Sequence, residues 1–471
     1  RETVFKLRTL VVAPFVGSPR TKTLISITGS IISKVTTSAV TTTSGPSVQT
    51  ARNFVDTCAF MGKIYIVDGQ NTLIYHPVDT ETETANTSEL FLGTSSGGVP
   101  QRCSLICAWN GSLVLARQAE NPNQYFISAQ SDPGNFDTQP YTLSQSQAII
   151  GSDGSAGLPP DIINSLIPYN DDLLLIGGDH SIYRITGRPS PGGTGEIHLV
   201  SDSIGIAFGR AWCKDPRGII YFFGSRGGVY RMPPTGGPEP IPGSIAGRNK
   251  IERRLQNIDL SAYTVRMAWN DLDKGFHLIL CPYGDGGTIV EHYFWEEAQG
   301  AWWPDKWAVS TIQPTCVTVM DGDSATDRVV LVGCEDGYVR KFDKTAYVDD
   351  GVNGDNGVVT YPIDASVLIG PLAPKGTATE VVFSRLQAVM ANDQDARPQI
   401  SVYVTDRADF LGEPVWSGQL LPGRNPYING KWRGSFVYIK ITSTDPVARW
   451  SYEQISLDYA APAGIKRSAG V

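Results

Sequence analysis

The feature that most constrains the fold of this 471-residue chain is a unit that returns six times between about Cys58 and Asp343. Each copy is an apolar strand, a turn rich in Gly, Asp or Asn, and a second strand that carries an aromatic residue. The first strands begin at 63, 112, 172, 218, 275 and 328, so the steps are 49, 60, 46, 57 and 53 residues. Repeated β-hairpins at roughly 40 to 50 residues are typical of propeller blades, and insertions lengthen the step. The repeat predicts a six-bladed β-propeller over residues 57–350.

The segments outside the repeat are also predicted to be strands. Residues 1–56 alternate β-branched residues with Ser and Thr, which favours strands. We interpret them as an N-terminal β arm, and one role open to this arm is to close the propeller. After a turn-rich linker at 349–357, the strands of 358–460 alternate apolar and polar residues, which predicts a C-terminal β-sandwich. Residues 461–471 are expected to be a loose tail.

The composition agrees with an all-β, turn-rich fold class. The chain has 49 Gly and 31 Pro, and its 18% of charged residues lies below the roughly 25% of typical soluble domains. A net charge of -8 argues against tight nucleic-acid binding, which needs Lys and Arg to displace counterions. No apolar run is long enough for a membrane span. The seven cysteines fall mostly in or beside apolar strands. We therefore expect them to act as small buried hydrophobic residues in a protein that is made in a reducing compartment.

One segment inside the repeat region has helical periodicity. Between Ser244 and Asp259, the apolar residues Ile251, Leu255 and Ile258 recur at i, i+4 and i+7, which predicts a short inserted amphipathic helix. Four basic residues lie largely off this stripe and are candidate contacts with a partner subunit or DNA, unless they are only a solvated surface: Arg248, Lys250, Arg253 and Arg254.

A second irregular segment is rich in tryptophan. Thirteen residues contain four of them: Trp295, Trp302, Trp303 and Trp307. One interpretation is an aromatic hairpin packed between blades. The other is a glycan platform, because indole faces stack on sugars as well as on side chains.

The sequence contains no convincing catalytic, cofactor or metal motif. Residues 93–97 match the nucleophile-elbow pattern, but no helix is predicted after them. The carboxylate-rich runs at 321–327 and 349–356 lack the distal Glu of a calcium hand, and hairpin turns favour the same residues, although calcium binding stays open. The five histidines are scattered, with no two at metal-ligand spacing. We therefore expect no enzyme, while noting that carboxylate pairs from distant blades escape a sequence test.

The order of these parts resembles the tail nozzle proteins of short-tailed bacteriophages, also called tail hub or packaged-DNA stabilisation proteins. The resemblance covers nearly the whole chain: an N-terminal arm, six degenerate blades, a helix containing Ile251-Glu-Arg-Arg-Leu255, a Trp-Glu-x-x-x-Gly-x-Trp hairpin from Trp295, and a sandwich that ends in Tyr452-Glu-Gln-Ile-Ser-Leu-Asp-Tyr459. The resemblance rests on the order of the parts, the length and the general sequence pattern. This family has no catalytic residue that could be assigned to a position in this chain.

The resemblance implies a virion protein assembled in the host cytoplasm. It would form a homohexameric ring below the portal and its adaptor, retain packaged double-stranded DNA, pass that DNA at ejection, and dock tail fibres or spikes. The alternative from another class is a secreted propeller lectin or adhesin that binds glycans through the Trp295–Trp307 region. A propeller glycosidase is a third alternative and would need convergent carboxylates.

Overall fold

The computed structural model describes most of the chain. The described residues are 7–16, 21–28, 30–35, 40–42, 45–46, 48, 54–76, 87–93, 98–139, 146–154, 156–190, 195–233, 235–241, 250–282, 290–307, 312–321, 328–343, 346, 348–352, 358–374, 376, 379–408, 411–445 and 448–460. The predicted tail at 461–471 lies outside them. The chain divides into unit 1, Arg1–Asp305 with Ser310–Phe342, and unit 2, Lys306–Val309 with Asp343–Val471.

Unit 1 is a succession of antiparallel sheets in which each strand pairs with the next along the chain. Sheets 1 to 3 contain β1 (Leu7–Val16), β2 (Thr21–Thr28), β3 (Ile31–Val35) and β4 (Val40–Thr42); β5 (Asp56–Phe60), β6 (Lys63–Val67), β7 (Thr72–His76) and β8 (Thr87–Leu90); β9 (Cys103–Trp109), β10 (Ser112–Gln118), β11 (Tyr125–Ile127) and β12 (Ile149–Ile150).

Sheets 4 to 7 continue the pattern. They contain β13 (Ile163–Asn170), β14 (Leu173–Gly178), β15 (Ile182–Thr186) and β16 (Glu196–Ser201); β17 (Trp212–Lys214), β18 (Ile220–Phe223), β19 (Val229–Met232) and β20 (Glu239–Pro240); β21 (Tyr263–Asn270), β22 (Gly275–Pro282), β23 (Glu291–Glu296) and β24 (Ala301–Asp305); β25 (Pro314–Asp321), β26 (Arg328–Cys334) and β27 (Val339–Lys341). Helix α1 (Lys250–Gln256) lies between sheets 5 and 6.

The six sequence repeats correspond to the second and third strands of sheets 2 to 7. The second strands are the most buried, because both of their faces are covered: every described residue of β14 and β18 is buried. Apolar side chains therefore occupy consecutive positions in these strands and do not alternate with polar ones. The fourth strands, such as β16, are largely exposed.

The sheets of unit 1 form a closed, propeller-type ring. The first strands of sheets 1, 2, 3 and 4 contact one another in turn, as do those of sheets 5, 6 and 7. Sheets 4 and 5 share a core that includes Leu175 and Phe222. Sheet 7 returns to sheet 1 through a core of Leu10, Leu24 and Leu331.

The N-terminal segment, residues 1–56, was predicted as a β arm, with closure of the propeller as one role open to it. In the structure, β1 to β4 form a four-stranded sheet of their own between sheets 7 and 2. The β2–β3 hairpin follows the same strand–Gly–strand pattern as the repeats. Its second strand has no aromatic residue, so the repeat pattern did not detect it.

Unit 2 contains the remaining strands. Sheet 8 pairs β28 (Val348–Val352) with β29 (Val358–Pro362). Sheet 9 has the order β30 (Ala365–Leu372), β35 (Phe436–Ser443), β32 (Gln399–Thr405) and β33 (Trp416–Gln419); sheet 10 has the order β34 (Ile428–Gly434), β31 (Val381–Met390) and β36 (Tyr452–Ala460). One core joins sheets 9 and 10 through side chains such as Phe383, Met390 and Ile439.

Two predicted boundaries are corrected by these strands. Unit 1 ends at Phe342 and not at residue 350. The stretch 349–357, predicted as a linker, includes part of β28, which pairs with β29 from Val348 opposite Pro362 to Val352 opposite Val358. A cluster of Gly, Asp and Asn is a hairpin signal as well as a linker signal, and the flanking valines favour strands. Among the described residues, no helix is long and apolar enough to cross a membrane.

Because sheet 1 lies between sheets 7 and 2 in the ring, we predict that a cavity in its core destabilises unit 1. Ile27 in β2 is completely buried, whereas Ile31 at the start of β3 is 39% exposed. We expect Ile27→Ala to lower the free energy of unfolding of unit 1 by about 2–5 kcal/mol, because it leaves a cavity in the ring. The matched change Ile31→Ala should cost less than about 1 kcal/mol. Urea unfolding followed by tryptophan fluorescence measures both, and equal small effects would mean that this segment is a dispensable arm.

Candidate interaction site

The inserted helix ends three residues before the end of its predicted span. The predicted span was 244–259, and the structure has α1 over Lys250–Gln256, while residues 242–249 lie outside the described part. Leu255 is buried in the core between sheets 5 and 6, with Ile251 and Ile258 packed against that core. The predicted apolar stripe is thus the face that attaches the helix to the ring.

Of the four basic candidates near the helix, Arg254 already has a partner within the protein. Arg254 makes a bidentate ion pair with Glu291 of β23, with Nη2 to Oε1 at 2.6 Å, and its guanidinium lies 5.9 Å from the Tyr263 ring centre. Burial raises the pKa of Glu291, but hydrogen bonds from Arg254 and Tyr293 outweigh it, so that the pKa is lowered overall. Arg254 therefore anchors the helix to sheet 6 and is partly withdrawn from partners.

The other three basic candidates are less defined. Arg253 is exposed on α1, and it already interacts with another group of the protein. Arg248 lies outside the described residues, and of Lys250 only the backbone is described. The described side chains therefore do not test the prediction that these basic residues form a contact surface for a partner or DNA.

The tryptophan cluster separates into buried and exposed members. Trp295 is fully buried and stacks on Phe276 with ring centres 5.1 Å apart, and Trp302, opposite it on β24, meets Phe276 edge-on at 5.6 Å. These two indoles belong to the core between sheets 5 and 6. Their position favours packing over a glycan platform.

The remaining two tryptophans lie elsewhere. Trp303 points to the opposite face of β24, is 44% exposed, and donates from Nε1 to Glu296 Oε2 at 3.1 Å. Trp307 is partly buried and groups with unit 2. Of the four predicted platform residues, Trp303 alone offers an exposed indole on unit 1.

A small cavity lies between helix α1 and sheet 5. Tyr230, Glu252 and Trp302 are among its lining residues, and its volume is about 120 Å³. Ligand pockets usually have roughly 300–1,000 Å³, so this space is too small for a sugar ring with its contacts. It does not provide the glycan site of the lectin interpretation.

A group of histidines that the sequence analysis treated as scattered is brought together by sheet 6. His277 on β22 and His292 on β23 are buried, and Nδ1 of His277 lies 3.0 Å from Nε2 of His292. Nδ1 of His292 lies 3.3 Å from a carboxylate oxygen of Asp305, the residue directly opposite on β24. At the other end, Asn270 Nδ2 lies 3.3 Å from Nε2 of His277. Four polar side chains thus form one row across four strands.

The hydrogen-bond direction along this row is self-consistent. Asn270 Nδ2 donates to Asp273 at 2.9 Å and has a second hydrogen for His277 Nε2. His277 can then donate from Nδ1 to His292 Nε2, with both rings neutral. Nδ1 of His292 lies 3.3 Å from the Asp305 carboxylate, but this contact lacks hydrogen-bond geometry. Burial lowers the pKa of His277 to about 4, and burial with the neighbouring His277 lowers that of His292 well below its usual value.

The row also bears on metal binding. His277, His292 and Asp305 carry ligand atoms within 4.8 Å of one another, and these residue types are zinc ligands. However, His277 and Asp305 contact opposite ring nitrogens of His292, so one ion between all three requires rearrangement. The Phe342 ring stacks on His277 at 4.3 Å. The geometry favours a buried hydrogen-bonded row that secures sheet 6 and its contact with Phe342.

This row predicts a pH dependence of stability. Because the folded pKa of His277 is about 4 and the ordinary value is 6.5, its neutral form stabilises the fold above pH 6.5. That contribution is lost as pH falls from 6.5 to 4, by at most about 1.4 kcal/mol per pH unit for one proton. We expect His277→Phe to flatten the stability profile in this window. The exposed His198→Gln should leave the profile unchanged, and a His277→Phe profile parallel to the wild type would contradict the assignment.

Comparisons with known proteins do not place the chain in a family. No family model and no curated protein matches it. Among solved structures it is similar to the extracellular domain of a B. thetaiotaomicron one component system, at 10% identity and a TM-score of 0.43, over 74% of this chain and 40% of that one. It is also similar to virginiamycin B lyase from Staphylococcus aureus, at 10% identity and a TM-score of 0.40, over 72% and 96% of the two chains. At these values neither similarity identifies a function.

Proposed function

We propose that the chain is a structural virion protein that forms the nozzle of a short phage tail. In this proposal it is a homo-oligomeric ring, of six copies by the resemblance, which retains packaged DNA, passes it at ejection, and docks an adaptor and fibre or spike proteins. The seven sheets of unit 1 are taken as seven blades of one β-propeller, and sheets 9 and 10 as the C-terminal β-sandwich. The shared core of sheets 9 and 10 supports that last assignment.

The observation that carries the proposal is an uncharged sheet edge in unit 2. Strand β30 is an edge strand of sheet 9, and none of its eight residues is charged, although Pro371 and a register shift interrupt the pairing between Ile369 and Leu372. Its Leu368 is 47% exposed, and Leu372 is exposed as well. Natural proteins usually blunt such edges with charges, because an apolar edge recruits other strands. An apolar edge that persists in a folded protein is therefore expected to be covered by a partner.

A second edge of unit 2 has a complementary character. Strand β36 borders sheet 10, and its Tyr452 and Tyr459 are both exposed. Unlike β30, strand β36 also carries the acidic residues Glu453 and Asp458. Two different edge strands on one unit suit a head-to-tail interface, which closes into a ring when the rotation between copies closes. We therefore assign the occupant of the β30 edge to a second copy of this chain, in agreement with the ring that the resemblance implies.

The charge distribution is compatible with a DNA conduit. A net charge of -8 and a basic helix whose Arg254 is paired with Glu291 leave few cations to hold phosphates. Because affinity for DNA rises with the number of basic contacts, weak binding suits a channel through which DNA must move. Adaptor, fibre and spike partners remain part of the proposal.

The edge strand gives a test of assembly. We expect the purified chain to have a mass near six times 51.0 kDa by light scattering. Leu368→Lys should shift the population towards monomers, because it places a charge on the β30 edge. The matched change Leu199→Lys, at a 55% exposed position of β16, should leave the mass unchanged. A wild-type monomer at all concentrations, or a Leu368→Lys variant that assembles normally, would contradict the proposal.

The second candidate function, a glycan-binding adhesin, is favoured by one observation, the exposed indole of Trp303. It predicts glycan-array binding that Trp303→Ala abolishes, since stacking on an indole face would be lost. The control Tyr338→Ala removes another exposed aromatic ring and should have no effect. If the wild-type chain gives no signal above background, this second function is excluded and the structural proposal is favoured.

A further inference from the structure

The centre of the ring contains a cavity lined by first strands. Its lining comes from β1, β5, β17, β21 and β25 with the residues next to them, and its volume is about 280 Å³. The exposed residues Lys214 and Val319 lie at its wall, so that solvent can reach the space. It is large enough for a small ligand and not for a macromolecule.

The charge of this cavity is opposite to that of the chain. Three basic residues line it, Arg210, Lys214 and Arg266, and no lining residue is acidic. The whole chain carries a net charge of -8. A cationic interior in an acidic protein favours an anionic ligand.

Two of these cations already have partners. Arg210 pairs with Asp56, with Nε to Oδ1 at 2.8 Å, and donates from Nη2 to the carbonyl of Thr57 at 2.6 Å. Lys214 donates to the Tyr169 carbonyl at 3.4 Å and lies 5.3 Å from that ring centre, with most of its ammonium group still available. Neither requires a ligand for its own stability.

Arg266 is different. It is only 4% exposed, and its Nε has no hydrogen-bond partner. Within the described part of the chain its guanidinium has no carboxylate or carbonyl partner, and its one close contact is the Phe54 ring at 4.8 Å. The neighbouring thiol of Cys316 does not neutralise it, because burial raises the pKa of that thiol to about 12. Burying a guanidinium without a counter-charge raises the free energy of the folded protein. The presence of Arg266 at this position therefore calls for an explanation.

A second arginine of the ring shows what a satisfied case looks like. Arg117 stacks on Phe208 at 4.3 Å, and Phe208 meets Phe54 at 4.6 Å, so the two arginines flank one aromatic pair. Arg117 also hydrogen-bonds to the carbonyl of Ile163 and to Asn164. Both arginines therefore lie over an aromatic ring. Arg117 also has polar hydrogen-bond partners, whereas Arg266 faces the cavity.

We propose that the central cavity is a binding site for a small oxyanion, a carboxylate or phosphate group, held mainly by Arg266. The planar guanidinium offers paired donors that match both groups, and Lys214 and Arg210 add positive charge on the same wall. The oxyanion comes either from a small molecule or from a carboxylate of a partner polypeptide that enters the open mouth. The site does not depend on the oligomeric function proposed above.

The test uses isothermal titration of the full chain at constant ionic strength. The probes are inorganic phosphate, N-acetylglycine, and N-acetylglycinamide, which lacks the charge. We expect phosphate or N-acetylglycine to bind, and the amide not to bind. Tighter binding of phosphate indicates a phosphate-bearing small molecule, and tighter binding of N-acetylglycine indicates a carboxylate of the polypeptide type.

Variants separate binding from a structural role. Arg266→Met should lower the affinity for the anion by at least about tenfold, which is the usual effect of losing charge-assisted hydrogen bonds. Arg266→Lys should retain part of the affinity. The control Arg231→Met removes a half-buried arginine that is paired with Glu239 outside the cavity, and it should not change anion binding. The proposal is overturned if neither anion binds the wild-type chain, or if Arg266→Met binds as tightly as the wild type.

Discussion

The structure of unit 1 depends on the burial of both faces of every sheet. In β22, Phe276, Leu278 and Leu280 enter the core shared with sheet 5, while His277 and Cys281 face the other side, where Cys281 Sγ lies 3.5 Å from the Thr315 carbonyl of sheet 7. A sheet with two apolar faces is stable only between two neighbours, so a row of such sheets must close on itself. Sheet 1 closes the row, through Leu10 and Leu24 on the side of sheet 7 and through Ile27 and Ile64 on the side of sheet 2.

This closure explains where polar groups appear in the interior. Because the second strands of the sheets are covered on both faces, a polar side chain buried there needs a partner within the ring. The row from Asn270 to Asp305 brings four polar side chains together across sheet 6, with close polar contacts between Asn270 and His277 and between His277 and His292. Arg266 on the same face of that sheet lies over an aromatic ring and lines the central cavity, where a ligand could supply the missing acceptor.

The sequence predicted the parts whose signals are local. The six repeats are the second and third strands of sheets 2 to 7, and the stripe of Ile251, Leu255 and Ile258 faces a core. Sheet 1 departs from the repeat because the second strand of its β2–β3 hairpin, Ile31–Val35, has no aromatic residue. The histidine row was missed because its members are distant in sequence: His292 opposes Ile279, one diagonal step from His277, and that relation follows only from the register of the β22–β23 pair. The pairing of Arg254 with Glu291 likewise joins residues that no local pattern connects.

The proposed assembly depends on exposed side chains of unit 2. Of the four indoles considered for a glycan platform, Trp295 and Trp302 are buried in a core, while Leu368 and Leu372 of the edge strand β30 are exposed. We propose that the edge strands of unit 2 join copies of the chain in a ring. Electron microscopy of the purified chain tests it most directly. We predict six-fold rings in which the β30 edge of one copy meets the next copy. Isolated monomers, or rings in which the β30 edge faces solvent, would contradict the account.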